Sequence, residues 1–340
     1  MTSKICIFGA GAIGGYLAAC LHDAGADVSL IARGPHLNAI KENGLKLEIN
    51  GEMRSFKLNA SDNPADFGRQ DYVIIALKAH GITHITETIQ PLLDPDTAVV
   101  SAVNGLPWWY FYKANTETEL DDKPLMSVDP EASIWNKIGP ERAIGCVVYP
   151  ACEISKPGTI THIEGNRISL GEPSGESTER LKTLSDLMIK GGLKAPQKKR
   201  IRDEIWIKLW GNCSFNPVSA LTGASLDKIA EDPDTRKLVA EIMNECKQVG
   251  EALSIRFAVS IEDRINGAGK IIGHKPSTRQ DIEMGRPLEI DPLVTALIEI
   301  ANQLQIDTPR LVRCHCTIKI TGKNIRIIYI LKDFISHNYL

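Results

Sequence analysis

Ile5-Cys6-Ile7-Phe8-Gly9-Ala10-Gly11-Ala12-Ile13-Gly14 decides how the first half of the chain folds. Its first four residues form a short apolar run, the pattern of a strand buried on both faces. Glycines at 9, 11 and 14 follow at once, and then an alanine-rich helical stretch, Gly15 to Ala24. Gly25-Ala26-Asp27 stops that helix, and Val28-Ser29-Leu30-Ile31 reads as a second strand. The whole is strand, glycine-rich turn, helix, strand. In this setting Gly9 allows the tight turn, Gly11 lets the backbone approach a pyrophosphate, and Gly14 brings the helix close to the sheet. The helix N-terminus adds free N–H groups and the positive end of a dipole. Gly9, Ala10, Gly11, Ala12, Ile13 and Gly14 are therefore expected to cradle a dinucleotide cofactor.

The end of the second strand selects which dinucleotide. An acid there would hold a ribose 2′-hydroxyl, but the residues are Ala32-Arg33-Gly34. A guanidinium suits a 2′-phosphate, so Arg33 predicts NADP(H). Tyr72 to Leu77 and Thr97 to Ser101 are further apolar, β-prone runs, followed by Lys78 and by Asn104-Gly105. Ligands of open α/β sheets bind beyond the carboxyl ends of the strands, which makes Lys78 and Asn104 candidates for cofactor or substrate contact.

The chain of 340 residues is long enough for two domains, and 43% hydrophobic with 24% charged residues is ordinary for a soluble globular protein. A net charge of -3 gives no reason to expect a nucleic-acid partner. The local basic patch Lys198, Lys199, Arg200, Arg202 reads as a solvated helix start. No apolar run approaches a membrane span and the N-terminus lacks a signal-peptide pattern, so no membrane partner and a cytoplasmic location are expected. The eight cysteines are scattered, and Cys314-His315-Cys316 lacks further ligands at metal-site spacing, so no metal is expected.

Residues 106 to 142 leave the alternating rhythm. Trp108, Trp109, Tyr110, Phe111 and Tyr112 are consecutive aromatics that suit a substrate pocket, a core plug or a subunit contact equally. Ala143 to Tyr149 reads as a strand, and 159–163 and 167–170 as short strands hinged at Gly165-Asn166, a hairpin signal. A helix is expected over 177–190, ended by Gly191-Gly192. From about 200 onward helical spacing takes over. Lys208, Asn212 and Asn216 recur every four residues and so share a helix face, with a break or kink expected at Pro217. The fold class is thus an α/β Rossmann domain, residues 1–195, with parallel sheet and flanking helices, followed by an all-α domain, 196–340, for substrate and dimerisation.

Taken together, these motifs resemble the ketopantoate reductase family (2-dehydropantoate 2-reductases). The matching pieces are the GAGAIG turn, Leu77-Lys78-Ala79, Asn104-Gly105, Lys208-Leu209-Trp210-Gly211-Asn212 through Asn216-Pro217-Val218-Ser219-Ala220-Leu221-Thr222, Ser277 with Gln280-Asp281-Ile282, Glu289-Ile290-Asp291 and Thr308-Pro309. The resemblance implies NADPH-dependent reduction of ketopantoate to pantoate, for pantothenate synthesis, in a cleft between the two domains. It implies Lys208 as general acid and Glu289 as anchor of the substrate hydroxyl. Asn212, Asn216 and Ser277 would orient the substrate, Asn104 would hold cofactor and substrate, and Lys78 would lie near the cofactor or the substrate carboxylate. Reduction of another small 2-keto acid, or non-catalytic NADP sensing, are the competing readings. A helical domain of this size often supports a homodimer.

Three departures stand out. The aromatic stretch 106 to 142 is longer than in a compact member. Thr278-Arg279 replaces a typically hydrophobic position, and Arg279 would place a cation near the carboxylate site. The segment from Lys319 to Ile330 is β-prone and basic, which predicts loss of the family's closing helix.

Overall fold

The structure, a computed structural model, describes residues 2–322. Two compact units divide it, the first ending at Glu204 and the second beginning at Ile205. The first is α/β and the second is helical.

In the first unit, β1 (Lys4–Phe8) lies between β2 (Asp27–Ile31) and β6 (Tyr72–Ile75), parallel to both. Ile5 stands opposite Val28 on one side and Tyr72 on the other. β5 (Asn59–Ser61) extends the sheet beyond β2, while β7 (Ala98–Ser101), β8 (Ala143–Val148) and β11 (Ile168–Gly171) extend it beyond β6, giving the order β11-β8-β7-β6-β1-β2-β5. Only β11 runs antiparallel to its neighbour. The central strands are buried throughout, which is why they are near-continuous apolar runs with no alternation.

A second sheet, β4-β3-β10-β9, is built from β3 (Leu45–Ile49), β4 (Glu52–Phe56), β9 (Ala151–Lys156) and β10 (Thr159–Glu164). α1 (Ala12–Asp23) packs against both sheets. Leu17 and Leu21 of α1 belong to one core cluster with Ile5 and Ile7 of β1 and with Leu45, Leu47 and Ile160 of the second sheet. β3 and β4 form a hairpin across Asn50-Gly51, both at positive φ (53° and 81°), the turn that matches strand twist. The hairpin expected at Gly165-Asn166 does not form. β10 pairs with β9 and β3, whereas β11 crosses to β8 in the other sheet. α2 (Gly34–Asn43), α3 (Ser133–Lys137) and α4 (Glu179–Lys190) complete the unit, α4 closing at Gly191.

The aromatic run is a core plug. Trp108, Trp109, Tyr110 and Phe111 are each at most 1% exposed, and Trp108 Nε1 donates to Ser101 Oγ at 3.1 Å. Arg202 clamps the segment by donating to the carbonyls of Tyr110 (2.8 Å), Tyr112 (2.7 Å) and Pro173 (2.6 Å). The basic patch is exposed at Lys199 and Arg200, and three of its four residues are engaged. Lys198 pairs with Glu204 at 2.8 Å and Arg200 with Asp203 at 2.6 Å, while Arg202 is committed to the plug.

The second unit contains α6 (Leu226–Glu231), α7 (Pro233–Ala252), α8 (Ile261–Gly269), α9 (Ser277–Glu283), α10 (Ala296–Gln303) and a further helix, α11, over 309–322. Its framework is α5 (Ile201–Thr222), which starts in the first unit and runs unbroken through Pro217. Proline removes one backbone bond, but buried neighbours on either side, Phe215, Asn216 and Val218, hold the helix in place. Trp206 and Trp210 of α5 are fully buried, packed on Phe257 with ring centroids 6.4 and 4.7 Å apart. The expected loss of the closing helix is corrected for 309–322, where Leu311, Cys314 and Ile318 recur at helical spacing on a buried face. The remainder of the β-prone stretch, 323–330, lies outside the described residues.

Candidate functional site

At the end of β1 the chain turns through Gly9 at φ +109°, where a Cβ would stand 2.7 Å from Leu77 Cδ2 and 2.9 Å from the Ala76 carbonyl. Gly14 is tighter still. A Cβ on it would lie 1.9 Å from the Gly9 carbonyl oxygen, so the first turn of α1 rests directly on the glycine loop. Gly11, the N-cap, faces open space instead, its nearest neighbour for a Cβ being Ala76 O at 4.0 Å. No side chain caps α1 and no acid sits in its first turn. The amides of the first turn are therefore available to an anion, and the cradle fits a dinucleotide pyrophosphate.

Arg33 is exposed just beyond β2, at the N-cap of α2, with no ion pair to any described residue. Lys78 and Asn104 follow β6 and β7, both half-buried and both engaged in interactions within the protein. The glycine loop, Arg33, Lys78 and Asn104 thus stand beyond the carboxyl ends of four adjacent parallel strands, β2, β1, β6 and β7. β1 is where strand order reverses, the position at which open α/β sheets bind ligands.

Sequence reasoning missed His36. Its Nδ1 accepts from the Gly158 N–H (3.0 Å), which leaves the ring proton on Nε2 to donate to the Ala10 carbonyl (2.7 Å). The ring ties the glycine loop to the turn between β9 and β10. A histidine one turn into an ordinary helix carries no signal of this in the sequence.

In the helical unit, Asn212, Asn216 and Pro217 of α5 line a pocket with Thr278 of α9, Glu289, Ile290, Leu293 and Val294, and Ile318 of α11. It is narrow, with about 10 Å³ of free space. Asp291–Thr295 forms a π-turn leading directly into α10, an irregularity common at functional sites that here carries Leu293 and Val294 to the pocket wall. Asn216 is 5% exposed, and its amide bonds to no other described residue. A ligand entering the pocket can therefore bond to it. Lys208 lies two turns before Asn216 on the same face, half-buried and engaged in interactions within the protein.

The structure therefore brings Asn212, Asn216 and Glu289 together, but not Ser277. Ser277 is exposed at the start of α9, and the next residue, Thr278, faces the pocket. Arg279 is tied into an ion pair along α9. Its Nε pairs with Glu283 at 2.9 Å, and Lys275 pairs with the same carboxylate. Of the Cys314-His315-Cys316 cluster, Cys314 is buried, Cys316 is exposed, and His315 Nε2 bonds Thr295 Oγ1 at 2.9 Å.

Comparison with known proteins covers both units. The family pattern described as Ketopantoate reductase PanE/ApbA matches residues 5–175, and its C-terminal counterpart matches residues 200–319. A 2-dehydropantoate 2-reductase of Mesorhizobium japonicum is 51% identical over 307 residues, which are 90% of this chain and 94% of that protein. A crystal structure from Ralstonia solanacearum, assigned to the ketopantoate reductases, superposes with a TM-score of 0.90 at 37% identity, covering 96% of this chain and 99% of that one. D-mandelate dehydrogenase bound to NADH and anilino(oxo)acetate shares the fold, with a TM-score of 0.80 at 23% identity over 95% and 99% of the two chains.

Proposed function

Because the chain belongs to the ketopantoate reductase family, we propose that it reduces 2-dehydropantoate to pantoate with NADPH, using the site residues described above. The observation that carries this reading is that Asn216 lines one pocket with Asn212 and Glu289, its amide bonded to no other described residue.

NADPH, when bound, supplies the hydride that adds to the keto carbon. The glycine loop and the N-terminus of α1 hold its pyrophosphate, and Arg33 meets the 2′-phosphate. Addition builds negative charge on the former ketone oxygen. Lys208 donates a proton to that oxygen, a cation acting where charge develops in the transition state. Asn212 and Asn216 orient the substrate from the same helix face. Glu289 accepts a hydrogen bond from the substrate's terminal hydroxyl. Lys78 and Asn104 hold cofactor and substrate at the sheet edge. A cytoplasmic location belongs to the same reading. It is supported by eight free cysteines, and no helix of the described residues is long and apolar enough to cross a membrane.

The test is NADPH oxidation at 340 nm with a panel of 2-keto acids, repeated with NADH. Rapid turnover of 2-dehydropantoate with NADPH is expected, and preference for a different keto acid would refute the substrate assignment. Lys208→Ala should lower kcat by about 10²–10⁴-fold while NADPH affinity stays within about twofold. Unchanged kcat would remove Lys208 from the acid's role.

A further inference from the structure

Thr278 is 5% exposed and lines the pocket beside Asn216 and Glu289, and its hydroxyl bonds to no described residue. The polar side chains lining that pocket are thus two amides, one carboxylate and one hydroxyl, set against an apolar wall of Ile290, Leu293, Val294 and Ile318. A carboxylate at this end repels the carboxylate of a keto acid, so the group received here is neutral. A hydroxyl satisfies both neighbours at once. It can donate to Glu289, whose carboxylate accepts more than one bond, while accepting from the Thr278 O–H.

We propose that Thr278 is a specificity-determining residue, which selects 2-keto acids carrying a terminal hydroxyl by donating a hydrogen bond to that oxygen. This rests on the reading of the pocket as the substrate site. It gives the position after Ser277 a role that an aliphatic residue there would not have, since only a hydroxyl serves as donor. Sites built to bond a substrate hydroxyl discriminate strongly against the analogue that lacks it, because their own polar groups then stay unpaired.

The experiment compares 4-hydroxy-3,3-dimethyl-2-oxobutanoate (2-dehydropantoate) with 3,3-dimethyl-2-oxobutanoate, which differs only in the missing hydroxyl. In Thr278→Val, kcat/KM for the hydroxylated acid should fall about tenfold or more and that for the deoxy analogue less than about twofold, with NADPH affinity unchanged. Thr278→Ser should restore the preference. Equal losses on both acids would mean that Thr278 only packs, and no loss on either would mean that it does not touch substrate. Both results overturn the proposal. If Thr278→Val does not fold, Thr278→Ala carries the same comparison. A wild-type protein that binds NADPH but reduces neither acid overturns the substrate reading itself, a failure visible before any variant is made.

Discussion

The two units assemble their sites in opposite ways. In the α/β unit the cradle is a continuous stretch, Gly9 to Gly14, and its business end is backbone: amides at a helix start and glycines that clear space for them. In the helical unit the pocket draws on four separated segments, 212–217, 278, 289–294 and 318, and its business end is side chains. A backbone site tolerates no change in shape, whereas a side-chain site can be retuned one residue at a time. Cofactor chemistry can thus stay fixed while substrate choice drifts.

Gly14→Ala should show the largest effect. Its Cβ would stand 1.9 Å from the Gly9 carbonyl oxygen, a clash of backbone against backbone that no rotamer relieves. Destabilisation of about 1–3 kcal/mol and a loss of NADPH binding by about 100-fold or more are expected, read by thermal melting and fluorescence titration. NADPH binding of wild-type strength in this variant would break the contrast. Arg33→Ala tests a side chain at the exposed edge of the cofactor site. NADPH affinity should fall by about 10- to 100-fold, the worth of one charge-assisted contact, with NADH affinity nearly unchanged. Equal losses for both cofactors would show that Arg33 does not read the 2′-phosphate.

The smallest effect concerns the close of the first unit. Partial burial pushes the Glu204 carboxyl up, but a hydrogen bond from Lys198 and the charges of Arg167 and Lys198 outweigh it and hold the carboxyl below its usual range. A depressed carboxyl contributes stability above the unfolded glutamate value, about 4.3, and loses it as pH falls through the folded value. The gap in urea midpoint between wild type and Glu204→Gln should therefore narrow from pH 7 to pH 4. A gap that widens on acidification would reverse the sign of the argument.

The same contrast explains what the sequence disclosed. The glycine loop, Arg33 and the strand ends are local signals, and they place the cofactor edge without any long-range knowledge. The face shared by Lys208, Asn212 and Asn216 is likewise local, a matter of helical pitch. What faces those residues is not local. Ser277 and Thr278 are adjacent, and only the three-dimensional path of α9 turns the second of them into the pocket. Of the second sheet only β10 was legible; β4 and β9 escaped notice because they are largely exposed, although Asn50-Gly51 was a direct hairpin signal. Gly165-Asn166 misled in the other direction. A turn dipeptide between two strands says that the chain reverses, but not that the strands pair. Composition alone also left the aromatic run open, since a core plug and a pocket lining use the same side chains.

That plug gives the molecule a built-in optical reporter. Trp108 and Trp109 are sealed in the first unit, Trp206 and Trp210 in the second, and all four are at most 1% exposed. Each half thus holds its own pair of indoles away from water. Replacing Trp206 and Trp210 with phenylalanine leaves emission that follows the first half, with Trp135 of α3 as its remaining, half-buried contributor. Replacing Trp108 and Trp109 instead weights the signal toward the second. Red shifts recorded for the two variants along one denaturant series would tell whether the halves melt together or in turn.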